Sequence, residues 1–238
     1  MTYEEAVAAA PAGWTRFKLE DVRRLPGPIR RRAIDGVPDG EMAAAVAGDA
    51  QAGERVRRAL FWTFVYHLGP ELWDALAVAE PIHPRAIKLL HDLGADRGRV
   101  LEIGAGSGRL TVHLVEWSKT LLAVDPALPL LRILGSRVRL ALPAAAWAEM
   151  LPVADGWADA TVSCASLPMD AAGIAEAQRV TRSGGLIVMV SPEPGDRRGW
   201  SEERFDPDEV YLPPRDAWID EVFGPPRPPS EVVWRKRG

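Results

Sequence analysis

Between Arg99 and Val190 the chain alternates short apolar runs with amphipathic stretches, and the first joint in that series is a cluster of glycines. The runs Arg99–Ile103, Leu121–Val124, Val138–Leu142, Ala158–Cys164 and Leu186–Val190 are short and rich in Val, Ile and Leu, which predicts five strands. Between them, Arg109–Trp117, Leu128–Leu134 (stopped by Gly135) and Ala171–Thr181 (stopped by Ser183-Gly184-Gly185) predict helices. Strand and helix in strict alternation predict a parallel sheet covered by helices on both faces, an α/β doubly wound architecture. The run Leu186–Val190 has no polar residue, as expected of a strand buried on both faces.

The flanks read differently. Tyr3–Ala10 suits a short helix, and Gly40–Leu68 one long helix or two, with Leu60, Phe64 and Leu68 on one face. The basic stretch from Arg16 to Arg32, broken by Pro26, Gly27 and Pro28, reads as solvated surface. The aromatic group Phe61, Trp62, Phe64, Tyr66 and Trp73 predicts helix-to-core packing, or else the wall of an apolar pocket. Pro84–Leu93 predicts a helix with proline in its first turn and Gly94 after its end. Beyond Val190, Ser191–Leu212 reads as loop with one turn of helix, its acids Glu193, Asp196, Glu202, Glu203, Asp206, Asp208 and Glu209 solvated. Pro214–Phe223 predicts a helix, Pro225–Pro229 a stiff connector and Glu231–Arg235 a last strand. The expected division is a helical segment over 1–94 and the α/β domain over 95–238.

Composition narrows the function classes. Twenty-nine basic against 33 acidic side chains, for a net charge of −4, argue against a dedicated nucleic-acid binder. One cysteine, Cys164, and four histidines offer neither a disulfide framework nor a structural zinc site, and no metal is expected. No apolar run approaches the ~18 residues of a membrane span. The acidic start MTYEEAVAAA does not resemble an export signal, so the expected location is cytoplasmic.

The glycine joint reads Leu101-Glu102-Ile103-Gly104-Ala105-Gly106-Ser107-Gly108. Glycines there let backbone approach a ligand closely. A dinucleotide fingerprint needs a third glycine at position 109, which is Arg, and the acid two residues before Gly104 suits a cationic ligand better than a pyrophosphate. Asp125 closes the next strand, 17 positions after Gly108, where a carboxylate can accept both hydroxyls of a ribose. Farther on stand Ala148-Glu149-Met150-Leu151-Pro152-Val153-Ala154-Asp155 and Arg179-Val180-Thr181-Arg182-Ser183-Gly184-Gly185. Together these four landmarks resemble the class I S-adenosylmethionine-dependent methyltransferases, in particular their small-molecule (type 11) group.

That resemblance implies a Rossmann-like fold and S-adenosyl-L-methionine as cofactor, with S-adenosyl-L-homocysteine as product. It implies Glu102, Gly104, Ala105, Gly106, Asp125, Pro126, Trp147, Ala148 and Ser163 as cofactor-binding residues. The methionine end would lie near Gly104, Ala105 and Ser163, the ribose at Asp125, and the adenine near Pro126, Trp147 and Ala148. In the family an acid usually stands where this chain has Trp147, so adenine would meet a ring and backbone groups instead. The implied reaction is in-line methyl transfer to an O, N or C nucleophile of a small molecule, with residues 1–94 as the cap that selects it. Candidate bases are few: His67, His83 and Tyr66. Two other readings stay open, a methyltransferase-like binding or partner subunit without activity, and an RNA or tRNA methyltransferase. The sequence does not fix the oligomeric state.

Overall fold

The computed structural model describes residues 2–167, 171–192, 198–206, 210–226 and 232–237. Its contacts divide the chain into two compact units, Met1–Leu76 with Pro214–Pro226, and Ala77–Pro213 with Arg227–Gly238.

The first unit is helical. It contains α1 (Tyr3–Ala9), two 3-10 turns (Ala12–Arg16 and Leu19–Arg24), α2 (Gly27–Asp35), α3 (Asp39–Val46), α4 (Ala50–Ala59) and α5 (Phe61–Leu68), and α6 (Pro70–Ala79) leads out of it. The expected one or two helices over Gly40–Leu68 are therefore three. Asp49 ends the first break by accepting the Gln51 and Ala52 N–H groups through Oδ1, which starts α4 afresh. Leu60 makes the second break with φ −91° and ψ 2°, turning the apolar face of α5 inward so that Phe61, Phe64 and Val65 are buried. Phe17 packs on Phe61 and Phe64, and α11 (Ala217–Phe223) joins them through Phe223, stacked on Trp62 at 5.7 Å. The aromatic group is thus packing core within this unit. The helix expected from Pro214 begins only at Ala217, after Asp216 as N-cap residue.

The second unit is a sheet with helices on both faces. Its strands are β1 (Gly98–Ile103), β2 (Ser118–Val124), β3 (Ala141–Ala144), β4 (Ala158–Cys164), β5 (Thr181–Val190), β6 (Ser201–Arg204) and β7 (Val232–Arg237). They lie in the order β3-β2-β1-β4-β5-β7-β6. The first five run parallel, and β7 is antiparallel to both β5 and β6. The chain winds outward from β1 to β3, then returns to β4 beside β1. The crevice at the carboxyl ends of β1 and β4 is therefore the switch point where ligands enter such sheets. Alternate residues feed two cores. Val100, Leu121, Val162 and Val188 pack with α7 (Pro84–Leu93) and α9 (Leu128–Arg137). Leu101, Ile103, Val124 and Met189 pack with α10 (Ala171–Val180).

Several boundaries differ from those expected. The helix predicted over Arg109–Trp117 is one turn, α8 (Thr111–Leu114). The Ser118 hydroxyl lies 2.6 Å from the Leu114 carbonyl and 3.1 Å from that of Asp96, which ends the helix and starts β2 early. Gly135 does not stop α9, which continues to Arg137 and keeps Leu134 fully buried; a glycine inside a helix costs only about 1 kcal/mol. Val138 then closes α9, so β3 falls at Ala141–Ala144 rather than at Val138–Leu142. The helix expected over Ala171–Thr181 ends at Val180, and the strand expected from Leu186 begins at Thr181. Thr181 opens β5 and a bulge follows, pairing Ala158 with Thr181 and Ala160 with Leu186.

The largest correction is β6, in a stretch expected to be loop. Ser201-Glu202-Glu203-Arg204 has no apolar pattern because it is an edge strand, held by backbone pairing to β7 and by Trp234 Nε1 donating to Glu202 Oε2 (2.8 Å). With it, the terminal strand is paired on both sides, by β5 and β6, and reaches Arg237. Of the acidic run, Glu193, Asp196, Asp208 and Glu209 lie outside the described residues, as does most of the Pro-rich connector. Among the described residues no helix is long and apolar enough to cross a membrane, and no group of His, Cys, Asp or Glu could hold a metal ion.

Gly13 shows how tightly the helical unit is closed. A Cβ there would sit 2.5 Å from Val222 Cγ1 and 2.7 Å from the Val222 carbonyl oxygen. Gly13→Ala should therefore lower stability by about 1–3 kcal/mol, the usual cost of overpacking, read as a lower midpoint in thermal or urea melts.

Candidate cofactor site

Two turns meet at the carboxyl end of the sheet. The one after β1 is Gly104–Gly108, with φ of 71° at Gly104, 54° at Gly106 and 103° at Gly108, values that favour glycine. The end of β2 holds it in place. The Val124 carbonyl accepts the N–H groups of Gly104 (2.8 Å) and Ala105 (3.0 Å). Asp125 Oδ2 accepts the Gly106 N–H (3.0 Å), while Oδ1 accepts the Ala127 N–H (2.7 Å).

Asp125 is nearly buried, and each carboxylate oxygen spends one lone pair on backbone. One further acceptor position remains on each oxygen, the number a vicinal diol needs. Burial pushes its carboxyl up to about 6, against the pull of the two N–H donors. Glu102, on β1 below the turn, is buried more completely. Burial drives its carboxyl up to about 8; Thr111 Oγ1, donating to Oε2 at 2.7 Å, opposes the rise, and the Asp125 charge adds to it.

Ser107 Oγ is buried and makes no hydrogen bond among the described residues. A buried hydroxyl without a partner is costly, so its place in the glycine turn fits a site completed by a polar ligand. Together with the two spare acceptor positions of Asp125, it makes these residues a fit for a nucleoside bearing a polar tail.

The carboxyl end of β4 forms the other wall. Ser163 is buried, and its Oγ lies 2.9 Å from Ser166 Oγ, which donates to the Ile103 carbonyl (2.9 Å). Ser163 is thus the donor within the pair. Ala165 between them has φ 51°, an uncommon conformation for a residue with a Cβ. Ser166 lies so close to Gly104 that a Cβ on Gly104 would fall 2.1 Å from Ser166 Oγ. Arg109, where a dinucleotide fingerprint would have glycine, reaches Cys164 Sγ (3.2 Å) and the Glu80 carbonyl (3.5 Å).

The structure brings Glu102, Gly104, Ala105, Gly106, Asp125, Pro126 and Ser163 to this one end of the sheet. Trp147 and Ala148 follow β3 at the same end, half-buried, in a turn closed by Met150 N–H donating to the Trp147 carbonyl (3.1 Å). His83 is fully buried, and its Nδ1 accepts the Arg85 N–H (3.1 Å). Nε2 then carries the proton, 3.0 Å from the Asp206 carbonyl, so the ring caps α7 and neither nitrogen is left to serve as a base. Tyr66 and His67 lie on α5 in the helical unit. Tyr66 stacks on Trp62, and burial lowers the His67 imidazole below its ordinary range. Sequence reasoning passed over Ser107 and Thr111, although both lie within eight residues of Ile103.

Residues 101–189 match the family described as a methyltransferase domain. An uncharacterized methyltransferase of Mycobacterium tuberculosis is 35% identical over 122 residues, covering 50% of this chain and 49% of that protein. A malonyl-[acyl-carrier protein] O-methyltransferase of Geobacter sulfurreducens is 36% identical over 135 residues, covering 52% of this chain and 50% of that protein. The chain thus spans about half the length of the curated relatives it matches. Among solved structures, an S-adenosylmethionine-dependent methyltransferase of Mesorhizobium loti is 17% identical with a TM-score of 0.40, covering 44% of this chain and 51% of that one.

The buried acids predict an uncommon pH dependence. A carboxyl whose folded value is raised stabilises the fold fully below its unfolded value and loses that contribution as pH climbs to the folded value. For Glu102 the window runs from 4.5 to about 8. Wild-type stability should fall across it, and Glu102→Gln should flatten the fall, as measured by thermal melts from pH 5 to 8.5. Parallel pH curves for the two proteins would show that Glu102 is ionised in the fold.

Proposed function

We propose that this chain, whose residues 101–189 form a methyltransferase domain of the S-adenosylmethionine-dependent class, transfers a methyl group from S-adenosylmethionine to a small-molecule acceptor. The observation that carries the cofactor half of this reading is Asp125, buried, tied by Oδ2 to the glycine turn and retaining one free acceptor position on each oxygen. When bound, the cofactor supplies an electrophilic methyl group on a sulfonium sulfur. The chain's own residues bind and orient it. Asp125 accepts the ribose hydroxyls, Gly104 and Ala105 lie along the methionine end, and Ser107 donates to its polar groups. Pro126, Trp147 and Ala148 flank the adenine. Trp147 offers a ring face where a carboxylate would accept the amino group.

The acceptor follows from the chemistry available. His83 has both nitrogens committed, which removes it as a general base; an acceptor that has already shed its proton at neutral pH needs none. The Geobacter relative is named for a malonyl acceptor, whose free carboxylate is of that kind. The helical unit remains our candidate for the part of the chain that selects the acceptor.

Asp125→Ala tests the cofactor reading. Affinity for S-adenosylhomocysteine, measured by calorimetry, should fall by about 1.5–3 kcal/mol, the range for lost hydrogen bonds to a charged group. An unchanged dissociation constant would remove the ribose assignment. Binding without methyl transfer to any acceptor would favour a ligand-holding partner subunit, and turnover confined to RNA would move the acceptor to nucleic acid.

A further inference from the structure

The segment between β3 and β4, residues 145–157, carries Trp147 and Ala148 yet has no helix or strand of its own, only a single bridge between Trp147 and Met150. A segment that long and irregular needs outside support to hold a side chain against a ligand. The support comes from one pair of residues on α10. Arg179 Nη1 donates to the Val153 carbonyl (3.0 Å) and to Asp155 Oδ1 (2.7 Å), and Nη2 donates to the Leu151 carbonyl (3.3 Å). Glu176, one turn earlier, accepts the Leu151 N–H at Oε1 (2.7 Å) and holds the guanidinium through both oxygens (2.7 Å each). The Arg179 carbonyl also accepts the Gly156 N–H (2.8 Å).

The arrangement binds both polar groups of Leu151, whose side chain is buried in the core on the same face of the sheet. Four residues back along the chain is Trp147, joined to this anchor by the turn that Met150 closes. Ala146 and Ala148 add apolar contact with that core. The grip is electrostatically stable near neutrality, because the arginine beside Glu176 holds its carboxyl below the usual range. A lysine could not reproduce it, since one ammonium cannot reach two carbonyls and two carboxylates from the directions a planar guanidinium covers.

We infer that Arg179, backed by Glu176, is a positioning residue for the adenine end of the cofactor site, acting through Trp147. This rests on the cofactor reading above. It assigns to α10 a part in binding although neither side chain touches the proposed ligand.

A double-mutant cycle on the full chain tests it, with S-adenosylhomocysteine as the calorimetric probe. Arg179→Met should weaken binding about tenfold, within the range of coupling between residues of one hydrogen-bond network. In a Trp147→Ala background the same change should cost less than about twofold, since its route to the ligand is gone. In an Asp125→Ala background it should keep its full effect. A merely structural role would lower the melting temperature and leave the dissociation constant unchanged, or give the same loss with and without Trp147; either result overturns the inference while wild-type binding leaves the cofactor reading standing. A wild-type chain that binds no S-adenosylhomocysteine overturns both. Should Arg179→Met fail to fold, Arg179→Lys replaces it in the cycle, with an expected loss of about threefold and the same dependence on Trp147.

Discussion

Four backbone N–H groups, those of Gly104, Ala105, Gly106 and Ala127, converge on Val124, the last residue of β2, and on Asp125 just after it. The site depends on this small junction. It fixes the glycine turn to the neighbouring strand by hydrogen bonds rather than by side-chain packing, and so leaves the turn's open side without bulk. It also determines where the Asp125 carboxylate points, because an oxygen that accepts Gly106 and another that accepts Ala127 leave little rotational freedom. Preorganisation of this kind means that a ligand meets acceptors already oriented.

The two ends of the sheet treat their carboxylates in opposite ways. At the amino end, Asp159 accepts the Arg99 N–H and the Arg182 guanidinium, which hold its carboxyl below the ordinary range. That group fastens the start of β1 to β4 and to the β5 bulge, and a Cβ on Gly98 would fall 2.5 Å from it. At the carboxyl end Glu102 and Asp125 are buried with neutral donors only, and both are pushed up. Burial of that kind disfavours the charged form, whereas a positively charged neighbour would favour it. The acid at the amino end and the two at the carboxyl end are thus told apart by their partners.

Much of this was legible in the sequence because it rests on local chemistry. The strand, the glycine cluster and Asp125 are encoded between Gly98 and Asp125, and the continuous apolar run Leu186–Val190 reads as a buried strand. The rest depends on partners distant in the chain. Ser201–Arg204 is a strand only because β7, thirty residues on, supplies its hydrogen bonds. His83 resembled a candidate base until both ring nitrogens were seen to be occupied, one of them 3.0 Å from a carbonyl 123 positions away. Arg179 stood inside a recognised landmark, yet its reach to the Leu151 and Val153 carbonyls has no local signature.

The residue after the turn distinguishes the ligand class more sharply than the glycines do. In a dinucleotide site the last glycine serves close packing between a long helix and the first strand. Here the following helix is a single turn, α8, so position 109 is released from that requirement. Arg109 uses the freedom to span from the Glu80 carbonyl to Cys164 at the end of β4. Gly108 is required by its backbone, with φ 103°, rather than by space, since a Cβ there would meet Leu134 Cγ at an ordinary 3.4 Å. With no long helix aimed at the turn, the dipole that would draw a pyrophosphate is weak. The same sheet and nearly the same glycines thus suit a pyrophosphate poorly, and the local cause is a helix that ends at Leu114.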